Sequence, residues 1–497
     1  MRPRRTTSLA AIGLALTIAA SAAAASPATG TWGALTTSSG PALWGPGQPG
    51  IVHGVHKGPD GKLYIFGNFQ NAGGDPTADH LAVFNPATGT VHGLGSNGAG
   101  NGAFNDRVYA VTWVNGILYA GGAFASAAGI AGVDGLAAWN GTSWSGRGMP
   151  AASDVTALAT ANGHLYVGGS FANAGDAFGD NLSDWDGYTW TSLGSNGAGN
   201  GALNAHVWTL AALPDGRVYA GGTFTSAGGN VEANYAAWFD PGSDSWEKIG
   251  TAAGSPLNAG VWTMALIGNR VILGGAFSNA GGLATADAIA EWTGTAWKAY
   301  GSDGAGGGAL VSISSLYVNS VAVYGSNILV SGLFDSTAGV EFTDGIAVWN
   351  GSKWMALAQS NPTNDPWFLE AIGRDLYVTG SFTNLGAIPA ADGIGVYGLP
   401  AAPSAARSLA AATAGSKKVK LTWAAPATSN GAPVTDYVIK YRKLGALSWS
   451  TFVHVASTLK TATIAGLTSG ATYQFQVFAK NDWGTAAGSA IVVKKAL

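Results

Sequence analysis

Val155-Thr-Ala-Leu158, Leu165-Tyr-Val-Gly-Gly-Ser-Phe171, Leu182-Ser-Asp-Trp185 and Trp190-Thr-Ser-Leu193 are four short segments whose reading decides how this chain folds. Each has the length of a strand, and they carry the β-branched and aromatic side chains that fit a pleated surface. Turn residues separate them, Asn162-Gly163 after the first and Asp186-Gly187 after the third. Such pairs take positive φ readily and close tight hairpins. The segments read as strands a, b, c and d of one antiparallel sheet.

The unit recurs. Its Gly-x-Phe signature stands at Gly67 and Phe69, Gly122 and Phe124, Gly169 and Phe171, Gly222 and Phe224, Gly275 and Phe277, Gly332 and Phe334, and Gly380 and Phe382. The phenylalanines are 55, 47, 53, 53, 57 and 48 residues apart. Four strands in a period near 50 signal the blades of a β-propeller rather than a helical solenoid. The expectation is an all-β chain built on a seven-bladed β-propeller. Paired glycines in strand b let a neighbouring backbone or ring approach closely. Trp139, Trp185, Trp238, Trp292 and Trp349 at the ends of strand c, with Trp144, Trp190, Trp246, Trp297 and Trp354 opening strand d, are expected to fill the space between blades. The seventh repeat stops at Gly395-Val-Tyr397 without a fourth strand, whereas Gly30-Thr-Trp32-Gly-Ala-Leu35 has the form of one. The N-terminal strand is therefore expected to close the last blade, which leaves no exposed edge.

Tyr219-Ala-Gly-Gly222 followed by Ala237-Trp-Phe-Asp-Pro-Gly-Ser-Asp-Ser-Trp246 resembles a kelch-type repeat, and the resemblance covers Gly30 to Leu399. That family hosts binding proteins and enzymes alike. Its copper oxidases require a cysteine-crosslinked tyrosine, which a chain with no cysteine cannot make. Beyond Leu399-Pro-Ala-Ala-Pro403, the motifs Val419-Lys-Leu-Thr-Trp423, Pro426, Pro433-Val-Thr-Asp-Tyr437, Val438-Ile-Lys-Tyr441, Leu467, Tyr473-Gln-Phe-Gln-Val477 and Asn481-Asp-Trp-Gly484 resemble a fibronectin type III domain. That resemblance implies a C-terminal β-sandwich. Bacterial modules of this type accompany secreted polysaccharide-active enzymes as spacers or adhesive units.

At the N-terminus, Met1-Arg-Pro-Arg-Arg5, an alanine-rich apolar run from Leu9 to Ala25 and then Ser26-Pro27 read as a secretory signal cleaved near Ala25. Thr17 and Ser21 interrupt the run, so no transmembrane anchor is expected. The organisation expected is a signal peptide over 1–25, the propeller over 26–399, a linker over 400–404 and the fibronectin type III domain over 405–497, in a secreted, extracellular protein of bacterial type. Absence of cysteine excludes disulfides and thiolate metal sites. Residues 26–402 hold 10 Lys/Arg against 25 Asp/Glu, whereas 403–497 hold 11 against 2. An acidic body with a basic module suggests different partners for the two halves or a docked pair, and a basic surface favours anionic polymers.

Chemistry is expected where the d–a and b–c loops meet. Gly95-Ser-Asn-Gly-Ala-Gly-Asn-Gly-Ala-Phe-Asn105, its near-copy from Gly194 to Asn204, and Gly301 to Leu310 offer amides to a hydroxylated ligand, or are plain turns. Tyr109, Trp208 and Trp262 each follow a valine in strand a, and Trp367 stands near the equivalent place. Their rings either stack on sugar faces or pack between blades, and their periodic position favours packing. Asp106 and His206 lie beside them as hydrogen-bonding candidates. A glycosidase needs two convergent carboxylates, and Asp106, Asp154, Asp303 and Asp365 are available, with no spacing that singles out a pair. Ser183-Asp-Trp-Asp-Gly-Tyr-Thr-Trp190 resembles a sialidase Asp-box one place out of register. His53-x-x-His56 is thin for a metal site, and the turns at Asn71, Asn173 and Asn279 lack the carboxylates of a calcium loop. No cofactor and no metal are called for. The leading expectation is a non-catalytic recognition protein that binds an extracellular glycan or cell-surface polymer and not nucleic acid. The alternatives are a polysaccharide hydrolase or lyase with the fibronectin module as accessory, and a structural coat component.

Overall fold

The computed structural model describes residues 29–35, 43, 50–250, 256–340, 343, 345–357, 366–388 and 391–497. The expected signal segment and Asp365 lie outside the described residues. The chain is all-β, made of many antiparallel sheets with a β-sandwich at its C-terminal end.

Seven of the sheets are four-stranded. Their first strands are Ile51–Lys57, Val108–Val114, Asp154–Ala161, Val207–Ala212, Val261–Ile267, Tyr317–Tyr324 and Pro366–Ile372. In the third sheet the strands run Asp154–Ala161, His164–Ser170, Leu182–Trp185 and Trp190–Ser192, paired in that order. The seventh sheet takes its fourth strand from the other end of the chain. Trp32–Ala34 pairs antiparallel with Ile394–Gly398, Trp32 opposite Tyr397, and those two rings meet at 4.9 Å between centroids. First strands touch in succession from sheet to sheet, and Pro366–Ile372 touches Ile51–Lys57.

The repeated residues earn their places by packing. A Cβ on Gly222 would lie 2.1 Å from the His206 carbonyl oxygen, and one on Gly221 would lie 2.7 Å from Val261 of the next sheet. Only glycine permits either approach. The phenylalanine two residues on turns back into the sheet, and Phe124, Phe224, Phe277 and Phe382 are among the largest fully buried side chains. Outer tryptophans join neighbouring sheets as expected. The indole N–H of Trp144 donates to Leu94 O at 2.6 Å, Trp190 to Arg147 O at 2.7 Å, Trp246 to Leu193 O at 2.8 Å and Trp354 to Tyr300 O at 2.6 Å. Each bond ties the fourth strand of one sheet to the outer edge of the sheet before it.

The C-terminal sandwich stacks a sheet of Arg407–Thr413, Val419–Ala424 and Thr461–Ile464 against one containing Ser450–Phe452, Asp436–Lys443, Thr472–Asn481, Gly484–Thr485 and Val492–Lys495. Alternate residues Tyr473, Phe475, Val477 and Ala479 point into its core. The Tyr473 hydroxyl accepts a hydrogen bond from Thr468 N–H at 3.0 Å and pins the corner before the strand. The sandwich is docked on the seven-sheet body. Trp483 packs among Tyr324 and Met355 at the edge of the body's core. Asn327 and Asn350 donate to the carbonyls of Trp483 and Asp482 at 3.4 and 3.0 Å, and Lys353 pairs with Asp482 at 3.0 Å. The stretch expected as a linker is itself bonded, Ala401 N–H to Asn430 O at 3.0 Å and Asn430 Nδ2 to Ala402 O at 2.6 Å.

Candidate functional site

All seven first strands break register near their start. The ladder skips one residue between Val52 and Gly54, Val108 and Ala110, Val155 and Ala157, Val207 and Thr209, Val261 and Thr263, Val318 and Ser320, and Pro366 and Phe368. A bulge leaves its extra residue out of the ladder and re-aims its side chain. The skipped residues are His53, Tyr109, Thr156, Trp208, Trp262, Asn319 and Trp367. The residue before each is buried in the sheet, and six of the seven are valines, all with 0 % exposure. Burial of that residue fixes the pleat, so the bulged one is turned the other way.

All seven bulged residues line one cavity of about 760 Å³, with Thr223, Tyr317 and Phe368 completing its wall. Of the aromatic residues named from sequence, Tyr109, Trp208, Trp262 and Trp367 are all there. Trp208 is 40 % exposed, and other rings of the wall also meet across neighbouring sheets. Trp262 leans on Tyr317 at 4.8 Å, while His53 bridges Tyr109 at 4.9 Å and Trp367 at 5.5 Å. Sequence reasoning missed His53, Thr156 and Asn319 as members of this set. The signal was present, since they too follow Val52, Val155 and Val318.

The remaining candidates support or stand apart. His206 is not on the cavity wall. It stacks on Trp208 at 3.9 Å and 11°, with Nε2 at 3.0 Å from Thr156 Oγ1. The Thr156 hydroxyl spends its one proton on Val207 O at 2.6 Å, so His206 must donate to it from Nε2. Burial lowers the pKa of His206, which suits this neutral tautomer. His206 thereby holds Trp208 and Thr156 in place from behind. Asp106 is likewise off the wall and accepts from Arg107 N and Nε at 2.7 and 3.2 Å. Burial opposes its ionisation, but those bonds and the guanidinium charge outweigh burial and lower its pKa. Burial, then the Arg107 charge, hold the His53 pKa down at about 4, so this ring is a neutral donor and acceptor near pH 7.

The loop amides are less available than the sequence suggests. Asn97 and Asn196 turn their carbonyl oxygens onto their own loops, at Ala99 N and Ala198 N, 2.8 Å each. Asn105 and Asn204 clamp the b–c loops at Ala125 N, 3.0 Å, and Thr225 N, 2.8 Å. Asp303 caps Ala305 N at 2.7 Å. Asp184 of the Asp-box-like stretch pairs with His164 at 2.8 Å on an outer hairpin. Asp154 keeps Oδ1 buried without a partner, and burial raises its pKa. No group of three or more His, Asp or Glu that could hold a metal is found among the described residues.

Beneath this cavity lies a second of about 500 Å³ that shares Tyr109, Thr156, Trp208, Trp262, Asn319 and Phe368 with it. His56 and Glu370 are on its wall, Nδ1 to Oε1 3.8 Å. Glu370 is the one carboxylate among the described residues lining either cavity.

Residues 402–494 match the family model described as fibronectin type III domain. The C-terminal sandwich is a fibronectin type III domain. Among solved structures, the chain is similar to a titin fragment at 21% identity and TM-score 0.19, covering 24% of this chain and 39% of that one. It is similar to the twitchin kinase region from C. elegans at 28% identity and TM-score 0.18, covering 19% and 17%. It is similar to domains d3–d4 of the rat CD45 extracellular region at 20% identity and TM-score 0.19, covering 22% and 58%. The chain thus spans less than two thirds of the length of each of these chains. No helix among the described residues is long and apolar enough to cross a membrane.

Proposed function

We propose that the seven sheets are the blades of a closed, kelch-like β-propeller, and that the cavity lined by the seven bulged residues binds carbohydrate in an exported recognition protein. Successive contact of the first strands, with the seventh against the first, supports closure. The observation that carries the ligand class is the composition of the wall. Three tryptophans and a tyrosine offer flat apolar faces, and Thr156, Asn319 and neutral His53 offer uncharged hydrogen-bonding groups between them. Aromatic faces interleaved with neutral donors and acceptors match the alternating C–H faces and hydroxyls of a sugar. Nucleic acid would find neither cationic groups on that wall nor a favourable field over so acidic a body. Export rests on the basic start and apolar run of the first residues.

A hydrolase needs two carboxylates about 5–10 Å apart, and among the described residues Glu370, on the deeper wall, is the one carboxylate lining either cavity. That observation favours recognition over hydrolysis. A coat component would need no such cavity. The test is binding of the full chain to a glycan panel beside its Trp208→Ala and Trp262→Ala variants. We expect a retained glycan class whose binding each variant weakens at least tenfold. Equal binding by all three proteins would take these rings out of the site.

A further inference from the structure

The bulge sets a register that continues down each strand. Three residues beyond it, at the position paired with the second strand's Tyr64, Tyr119, Tyr166, Tyr219, Ile272, Leu329 or Tyr377, the seven sheets present His56, Thr112, Ala159, Ala211, Ala265, Ala322 and Glu370. Five are alanine or threonine. The two ionisable ones sit on sheets that touch each other, the first and the seventh. Of these seven, His56, Ala322 and Glu370 are on the wall of the deeper cavity. Glu370 keeps about 30 % of its side-chain surface open to it, and no hydrogen bond to either carboxylate oxygen is found among the described residues. Phe368, two residues before it on the same face, lines both cavities, so the carboxylate stands about 7 Å further in at roughly 3.4 Å per residue.

Taking the carbohydrate reading of the upper cavity as its basis, we propose that the sugar bound there carries a free, protonated amino group which reaches Glu370: the ligand class is an amino sugar with unacetylated amines. A largely buried carboxylate whose nearest ring nitrogen, His56 Nδ1, stands 3.8 Å away and beyond hydrogen-bond reach lacks the close partner that a buried charge needs. An ammonium group supplies both the counter-charge and the donors. The route to it suits a cation, because the faces of Tyr109, Trp208, Trp262 and Trp367 attract one through their π-systems. A bare divalent cation fits poorly, since His56 and Glu370 are joined by no third ligand among the described residues.

Protonation gives the idea a signature. Burial pushes the Glu370 carboxyl up to about 7, and burial also lowers the pKa of His56, leaving that ring neutral beside it. The other ionisable groups on strands packed against Glu370 are His53 and Lys57 of the first sheet, Asp375 and Tyr377 of its own sheet, and Tyr317 and Tyr324 of the sixth. Below about pH 7 the carboxyl takes a proton and loses its hold on an ammonium. At high pH the amine loses its own proton. Amine-dependent affinity should therefore fall on both sides of a maximum, about tenfold per pH unit on the acid side.

The experiment is calorimetric binding of glucosamine oligomers and of their N-acetylated counterparts to the full chain and to Glu370→Gln. At pH 7.5 the free-amine oligomer should bind at least tenfold more tightly than the acetylated one, and Glu370→Gln should remove that preference while still binding the acetylated oligomer, which reports that the variant is folded. Should Glu370→Gln not fold, the acid-side fall in wild-type affinity for the amine alone decides. Equal or tighter binding of the acetylated oligomer overturns the amine inference and leaves the carbohydrate reading standing. Failure of both oligomers, together with every neutral glycan on the panel, overturns the carbohydrate reading and the amine inference with it.

Discussion

The outer and inner edges of the seven sheets use repetition in opposite ways. On the outside, Trp144, Trp190, Trp246 and Trp354 are the same residue making the same bond to the preceding sheet. On the inside, the bulged position holds His, Tyr, Thr, Trp, Trp, Asn and Trp. One position is repeated because each copy meets the same neighbour. The other varies because each copy faces the cavity and meets different neighbours along its wall. Within a single chain, then, uniform repeats mark packing and varied repeats at a fixed geometric position mark a surface available for recognition. The two ends of the first strands divide similarly. Asn319 faces the cavity near the start of Tyr317–Tyr324, while Tyr324 at its end meets Trp483 of the fibronectin domain at 6.2 Å.

The largest effect should come from removing the strand that joins the chain's ends. Deleting 26–35 strips Ile394–Gly398 of its partner on one edge, leaving Asp375–Gly380 on the other, and uncovers Tyr397 and Leu385, both buried beside Trp32. A sheet edge with unpaired N–H and C=O groups and an exposed core face results. Loss of more than about 5 kcal/mol is expected, beyond the roughly 3–5 kcal/mol of one buried aromatic, and thermal unfolding measures it. An unchanged melting temperature would mean the closing strand contributes nothing.

Most of the fold was legible because its causes are local in sequence. Asn-Gly and Asp-Gly turns, Gly-x-Phe and Trp-ended strands each act within a few residues, so the hairpins and the origin of the missing fourth strand could be read directly. The bulge could not, since it is a mismatch in count between two paired strands and neither strand shows it alone. Hence sequence alone leaves Trp208 and its relatives between sugar stacking and packing, weighs His53 only as a metal ligand, and gives no sign of Thr156 and Asn319 beyond the valine that each follows. Loop asparagines misled for a related reason. Asn105 and Asn204 are drawn onto backbone amides some 20 residues away, and composition cannot show which amides a neighbouring loop will claim. The fibronectin domain was plain in its motifs, but its seat on Tyr324, Asn327, Asn350 and Lys353 is a relation between surfaces.

Replacing one outer tryptophan should cost less than the strand but still a great deal. Trp246 is 5 % exposed, packs on Phe239 at 5.8 Å and donates to Leu193 O at 2.8 Å. Trp246→Ala leaves a cavity and an unpaired carbonyl between the third and fourth sheets, so about 3–5 kcal/mol is expected from denaturant unfolding. Glycan binding by the folded fraction should be untouched.

The smallest effect on stability should come from the inner tryptophan of the same sheet, and it sharpens the comparison most. Trp208 is 40 % exposed and its bulge places it outside the ladder. What Trp208→Ala removes is the stack on His206, worth about 0.5–1.5 kcal/mol for a close ring pair, plus part of an already solvated face. The Thr156–His206 bond persists without it, because Thr156 is anchored to Val207 O. A stability loss near 1 kcal/mol is therefore expected, with tryptophan fluorescence and urea unfolding run beside Trp246→Ala. Were Trp208→Ala to cost as much as Trp246→Ala, the inner ring would be a packing residue like the outer one, and variety at the bulged position would no longer mark a binding surface.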